Sequence, residues 1–311
     1  MKYQSTSTPN PQARQGFTLV ELLVVLGVSI LVITASVNVT IASNRMFRVD
    51  RVRTRMNQDL RAASDLIGAD VRTAGSYLPN VGLQSIVVRG GNELEIRRSL
   101  LSTQLPVCKK INGGSNADVV FVSENNPKRP ECDRDSRDLD GDGQADDHTE
   151  WVDYRTDTEV NPNQTVAVYI WPSEDGQGEF FTYDAEDGSN QHIHKASGKW
   201  QHDYDPESTP PPNLYVMEMR RYQLTDGVLE LIINDNEDNP LRLVNNITEF
   251  RVRAILTDGS VVEDFGENPE DRFTDIASVE IDVQAADQVT PQTRVERELN
   301  NRFFPRNILN F

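Results

Sequence analysis

Basic charge is scarce in this sequence. Its 311 residues carry 31 Lys and Arg against 49 Asp and Glu, a formal net charge of −18. Binding to phosphate backbones needs a basic surface, so nucleic acid is excluded as a partner. Cysteine is scarcer still. Only Cys108 and Cys132 occur, which allow at most one bridge within the chain. Proline is missing from Pro11 to Pro79, so nothing in that interval breaks a helix. No Ser-His-Asp order, nucleophile elbow or Gly-rich phosphate loop appears, and the chain reads as non-enzymatic.

What is present begins with a long apolar run. Phe17 to Ile41 carries one charge, Glu21. As a helix these 25 residues would span roughly 37 Å, enough to cross a bilayer core. A carboxylate in hydrocarbon is costly without a partner. A removable secretory signal, with "TIAS" (Thr40 to Ser43) as its cleavage site, leaves Glu21 unexplained, and so does a plain membrane anchor. Cleavage between Gly16 and Phe17 accounts for it. Glu21 would then lie one helical turn from a new, positive α-amine, in a first turn where the helix dipole favours negative charge. In a side-by-side assembly, the amine of one subunit would meet the carboxylate of its neighbour.

The stretch "GFTLVELLVVLGVSILV" resembles the class III signal of type IV pilins and type II secretion pseudopilins. The resemblance implies that a prepilin peptidase cuts after Gly16 and methylates Phe17, and that Glu21 serves in assembly. It also implies a C-terminal domain exported from the inner membrane and reaching the pilus or cell surface. Other major and minor pilins would be partners through the N-terminal helix.

Val49, Val52, Met56, Leu60, Ala63, Ile67, Val71 and Ala74 recur at spacings of three and four, one apolar stripe on a continuing helix. Gly75 offers a cap and Pro79 a stop. The spacing predicts a helix from about Phe17 to Ala74. Arg45, Arg48, Arg51, Arg53 and Arg55 follow the apolar run against one acid, Asp50. By the positive-inside rule alone they leave the orientation ambiguous or reversed. "RMNQDLRAASDLIGADVRTAGSY" (Arg55 to Tyr77) further resembles PilW-like minor pilins. Leu243, Val244, Ile247 and Phe250 match a segment shared by PilW-like and GspJ-like proteins.

Beyond Gln84 the pattern changes to strands. Hairpins are expected around Gly90-Gly91-Asn92, Thr225-Asp226-Gly227 and Thr257-Asp258-Gly259. "ASVEIDVQA" alternates, with Val279, Ile281 and Val283 on one face. The expected fold class is α+β and pilin-like. A long N-terminal helix, membrane-spanning and then amphipathic, packs on an antiparallel β-sheet. The expected divisions are a leader over 1–16, a membrane or filament-core half-helix over 17–43, an amphipathic half over 44–75 and a β-rich head over 80–311. The head would carry an acidic loop insertion at about 123–210, since Glu124 to Asp187 holds 19 acidic and 5 basic residues and reads as long solvated loops.

Three candidate sites lie in the head. Cys108 and Cys132 would form a disulfide in an exported domain; unrelated buried thiols are the alternative. "DLDGDGQADDHTE" places Asp138, Asp140 and Asp142 at positions 1, 3 and 5 of a calcium-loop pattern, with Gly143 at 6 and Asp146 at 9. Gln144 would offer its carbonyl. Thr149 holds position 12, and Glu150 comes one place late. Calcium is the expected ion; a solvated acidic turn is the alternative. His192, His194 and His202, with Asp203 and Asp205, form a weaker transition-metal candidate. The expected function is that of a structural minor pilin helping to initiate, prime or cap a type IV pilus. A GspJ-like pseudopilin and a calcium-dependent pilus adhesin are the alternatives.

Overall fold

The computed structural model describes residues 18–78, 83–124, 129–187, 191–268 and 270–307. Helix α1 runs from Leu19–Thr73 as one uninterrupted element. From Leu19 to Ile41 every side chain is exposed. The hydroxyls in this apolar stretch turn back onto the helix's own carbonyls. Ser29 donates to Val25 at 2.7 Å, Thr34 to Ile30 at 2.8 Å, Ser36 to Val32 at 2.9 Å and Thr40 to Ser36 at 2.9 Å. Each of these four hydroxyls is thereby satisfied without water, as a hydrocarbon surrounding requires.

Residues 55–311 form a compact unit. Within it, Met56, Leu60, Ala63, Ile67 and Val71 of α1 are buried, as the three-and-four spacing predicts. The helix ends where Gly75 donates its N–H to Arg97 O at 3.0 Å.

Among the described residues the unit contains two antiparallel sheets, which with α1 give the expected α+β layout of a long helix and antiparallel β-structure. The larger has ten strands: β1 (Ile86–Arg89), β2 (Glu93–Ser99), β3 (Leu105–Pro106), β4 (Val119–Phe121), β5 (Val166–Trp171), β6 (Glu179–Asp187), β7 (His192–Lys195), β8 (Asn213–Thr225), β9 (Val228–Ile233) and β10 (Leu241–Asn245). β8 is its spine. One edge of β8 pairs with β2 and β3, and the other with β5 and β9. The smaller sheet has the order β12-β11-β13-β14, with β11 (Ile247–Leu256), β12 (Val261–Val262), β13 (Ile276–Thr290) and β14 (Thr293–Phe303). All three expected hairpins form. Val279, Ile281 and Val283 share a buried face.

Both sheets hold α1. On the large sheet, Arg220 Nη1 of β8 donates to both carboxylate oxygens of Asp70, at 2.9 and 3.0 Å, and the Tyr222 hydroxyl donates to the same carboxylate. Burial opposes the Arg220 charge, but Asp70 overrides it and holds the guanidinium pKa above its usual value. On the small sheet, Asn301 Nδ2 of β14 donates to Ser64 Oγ at 2.6 Å.

The stretch read as acidic loops is more ordered than its charge implies. It contains a short turn of helix, α2 (Arg134–Arg137), a full helix, α3 (Asp146–Thr156), and strands β5 and β6. Most of the charges sit on outward positions, while the inward positions carry aromatic side chains together with a few paired polar groups such as Arg155 and Glu179. In β6, Phe181 and Tyr183 are buried while Phe180, Thr182 and Asp184 face out. Helix α3 buries His148, Trp151 and Arg155, spaced three and four apart. Trp151, Tyr183, Trp200, Tyr204, Val168 and Val216 belong to one core beneath it.

Candidate functional site

Gly16 and Phe17 lie outside the described residues. Glu21 stands in the first turn of α1. Its backbone N–H donates to Thr18 Oγ1 at 3.3 Å, and its carboxylate accepts from the Thr18 backbone N–H at 3.3 Å. This reciprocal arrangement is a capping box, which satisfies two of the helix's orphan donors. In the described chain Glu21 therefore has a local partner. The spacing that encodes it is Thr18-x-x-Glu21, the sequence signature of a capping box. The two roles are compatible. A carboxylate held at the helix start is already placed beside any amine created just upstream.

Residues 11–37 match the prokaryotic N-terminal methylation motif. They carry a type IV pilin-like prepilin signal. No curated protein and no solved structure matches the chain. The signal supports a pilin- or pseudopilin-type protein, processed by a prepilin peptidase and assembled with other pilins. The apolar helix that overlaps the signal supports anchoring in a membrane.

In the head, Cys108 and Cys132 are joined by a disulfide with an S–S distance of 2.06 Å. The bridge ties the end of β3 to the chain just ahead of α2. Backbone bonds flank it: Cys108 N–H donates to Phe121 O and Glu124 N–H donates to Cys132 O, both at 2.8 Å.

The acidic loop lies between α2 and α3. Asp138, Asp140 and Asp142 each bring a carboxylate oxygen within 4.8 Å of the others. Their carboxylates also accept backbone N–H groups of the loop. Asp138 accepts from Gly141 at 2.7 Å and Gly143 at 2.8 Å, Asp140 from Asp142 at 3.1 Å, and Asp142 from Gln144 at 2.7 Å. Gly143 takes a φ of 88°, a left-handed conformation that a residue with a Cβ resists. The remaining expected ligands are placed differently. Asp146, the first residue of α3, accepts from the Leu139 N–H at 3.1 Å. Glu150 lies one turn into α3 and accepts from the Thr103 hydroxyl, so its carboxylate is engaged outside the loop. Gln144 follows Gly143 directly, at the foot of α3.

Ion pairs fix both flanks of the loop. Arg137 pairs with Asp147 at 2.6 Å and donates to Val122 O and Glu131 O. At the far end of α3, Arg155 makes a forked pair with Glu186 at 2.6 and 2.7 Å. Burial works to raise the Glu186 pKa, yet its bonds to Arg155 hold it below the usual carboxylate value. The histidine candidate does not assemble. His202 faces Asp175 at 3.2 Å, Asp203 accepts from Gly113 N–H at 2.8 Å, and Asp205 pairs with Lys110 at 3.1 Å. His192 and His194 share strand β7, with ring centroids 4.9 Å apart.

Proposed function

We propose that the chain is a PilW-like minor pilin, a structural rather than catalytic subunit that helps initiate, prime or cap assembly of a type IV pilus. The observation that carries this reading is the prepilin signal at residues 11–37 overlapping a helix with an exposed apolar start and a sheet-docked end. Cleavage between Gly16 and Phe17 releases a mature chain whose methylated amine and Glu21 neutralise charge between neighbouring helices. Residues 1–16 are then leader, 17–43 membrane or filament core, 44–75 the amphipathic half-helix and 80–311 the exported head. The "R-x-AGSY" helix end favours the pilus over a GspJ-like place in a type II secretion system.

Intact-mass measurement on membrane-extracted protein should give a chain beginning at Phe17 with one added methyl group. A start at Met1 or near Ser43 would refute the reading. Deletion of the protein should abolish pili; loss of protein secretion with pili intact would transfer the assignment to the pseudopilin alternative.

A second reading rests on the three converging carboxylates. We propose that Asp138, Asp140, Asp142 and the Gln144 carbonyl hold calcium, with Asp146 supplementing them, and that the ordered loop forms a calcium-dependent binding surface at the cell exterior. Glu150 would join only by releasing Thr103. Calcium suits such an oxygen-rich, irregular set better than magnesium does. The head should melt higher in calcium than in chelator, with Asp140→Ala plus Asp142→Ala removing the difference. Equal melting and no heat of binding would reduce the loop to an acidic turn.

A further inference from the structure

The arginines that follow the apolar run conflict with the usual placement of charge. Arg45, Arg48, Arg51 and Arg53 occupy two and a half turns of α1 directly beyond Ile41, and all four are exposed. Positive charge on an exported side opposes the positive-inside preference, so something on that side must offset it. The helix itself offers little. Asp50 is the single acid in this stretch and stands 4.0 Å from Arg53, with both side chains about half exposed. Among the described residues, no carboxylate lies within ion-pair reach of Arg45, Arg48 or Arg51.

Position selects the partner. At about 1.5 Å per residue, Arg45 lies roughly 6 Å and Arg48 roughly 10 Å past Ile41 along the axis. The polar headgroup layer adds roughly 5–8 Å on each side of a bilayer core. Long arginine side chains from these two positions reach that layer. Arg51 and Arg53 follow within about one Debye length. Apolar side chains stand among the arginines: Met46 is 68% and Phe47 69% exposed. A basic band interleaved with large apolar groups at the end of a spanning helix has the chemistry of a membrane interface.

We propose that Arg45, Arg48, Arg51 and Arg53 bind the anionic phosphates of phospholipid headgroups on the exported side of the membrane, setting the depth of α1 before assembly. This rests on the reading of α1 as a membrane-spanning helix. Phosphate pairs well with guanidinium because the planar fork meets two oxygens at once. Near an anionic surface each such side chain is worth about a fivefold gain in binding.

The test uses the full chain in neutral detergent, titrated with phosphatidylglycerol or phosphatidylcholine and weighed by native mass spectrometry. The wild-type chain should hold phosphatidylglycerol at least about tenfold more tightly, and 0.5 M salt should erase the preference. Arg45→Gln, Arg48→Gln and Arg51→Gln together should erase it too, while replacing the three by Lys should keep most of it. Equal retention of both lipids, or an unchanged preference in the Gln variant, would overturn the proposal. So would a lipid-independent dimer that the Gln variant loses, which would assign the band to a second copy of the acidic chain. Carbonate-resistant association with purely neutral vesicles reads the apolar span alone. Its loss would remove the membrane reading and this proposal together. Its persistence without a phosphatidylglycerol preference would remove the proposal only.

Discussion

The two halves of α1 are one helix in two different surroundings. From Leu19 to Ile41 it is apolar on every side and exposed on every side. From Met56 to Val71 only a stripe is apolar, and that stripe is buried against sheets of the same chain. The stripe meets its partner at folding. The apolar cylinder is exposed along its length, a surface of a kind that membranes or other helices cover. The polar groups follow the same division. Ser29, Thr34, Ser36 and Thr40 bond inward to their own backbone, whereas Ser64 and Asp70 bond outward to β-strands, and Thr73 does both, donating to Asp70 O and accepting from Arg98. A helix bound for lipid hides its hydroxyls, and a helix bound for a sheet uses them.

If that division is right, substitutions in the second half should weaken the head while those in the first half should not. The largest effect is expected at Asp70, which is 3% exposed and holds Arg220 and Tyr222 together. Asp70→Ala removes the bidentate partner of a largely buried guanidinium, which keeps only Glu218 at 3.2 Å, and leaves the buried Tyr222 hydroxyl without its acceptor. Breaking a buried pair from one side costs about 3–5 kcal/mol. Chemical denaturation of the head should show a loss of this size, and a change under 1 kcal/mol would mean that the helix is not docked as described. A smaller loss is expected where the fold is tied without α1. Replacing Cys108 and Cys132 by Ser opens a loop closed across 24 positions; chain entropy puts its contribution at about 3 kcal/mol. An unchanged midpoint under reducing and non-reducing conditions would show the bridge to be dispensable.

The helix, the hairpins and the alternation in β13 were legible because each depends on local pattern. The second sheet was not. Its edge strand β14 reads "TRVERELNNRF", and only Val295 and Phe303 are buried along it. An edge strand with one neighbour and a mostly wet surface carries almost no apolar alternation, so its pairing with β13 is visible only once both are folded. The acidic segment misled for the opposite reason. Its charge is real, but α3 and β6 are amphipathic, and a composition count cannot separate an outer face from a loop. At the N-terminal site, Glu21 was found by its charge while its capping bond to Thr18 went unread. In the acidic loop, the alternate spacing brings Asp138, Asp140 and Asp142 within reach of one another. It could not show that Thr103, distant in sequence, engages Glu150.

A finer probe of the docked half is Gly68. A Cβ built there would collide with the aromatic ring of Phe303 on β14. Gly68→Ala should therefore force a shift of the ring or of α1. Overpacking of this kind costs about 1–3 kcal/mol, against the gain of up to about 1 kcal/mol that alanine brings to a helix interior. A net loss, restored when Phe303 is also shortened to Leu, is the expected outcome. A stabilised single variant would place β14 farther from α1.

The smallest effect is expected in the first half, and its smallness matters most to the comparison. Leu26 is 54% exposed and lies in the apolar stretch far from any strand-bonding residue of the helix. Leu→Ala in a packed core costs about 2–5 kcal/mol, because burial is lost and a cavity remains. At Leu26 neither term arises within the chain, and alanine is the better helix former. Leu26→Ala should shift head stability by no more than about 0.5 kcal/mol, the usual range for surface changes. The same substitution should still weaken incorporation into filaments, because in the assembled state the apolar cylinder is covered. Both readouts are needed. A head destabilised by more than 1 kcal/mol would show that the first half packs on its own chain. A head unchanged and assembly unchanged would show that this face meets lipid alone. An unchanged head with impaired assembly is the result that separates the two halves of the helix by partner rather than by fold.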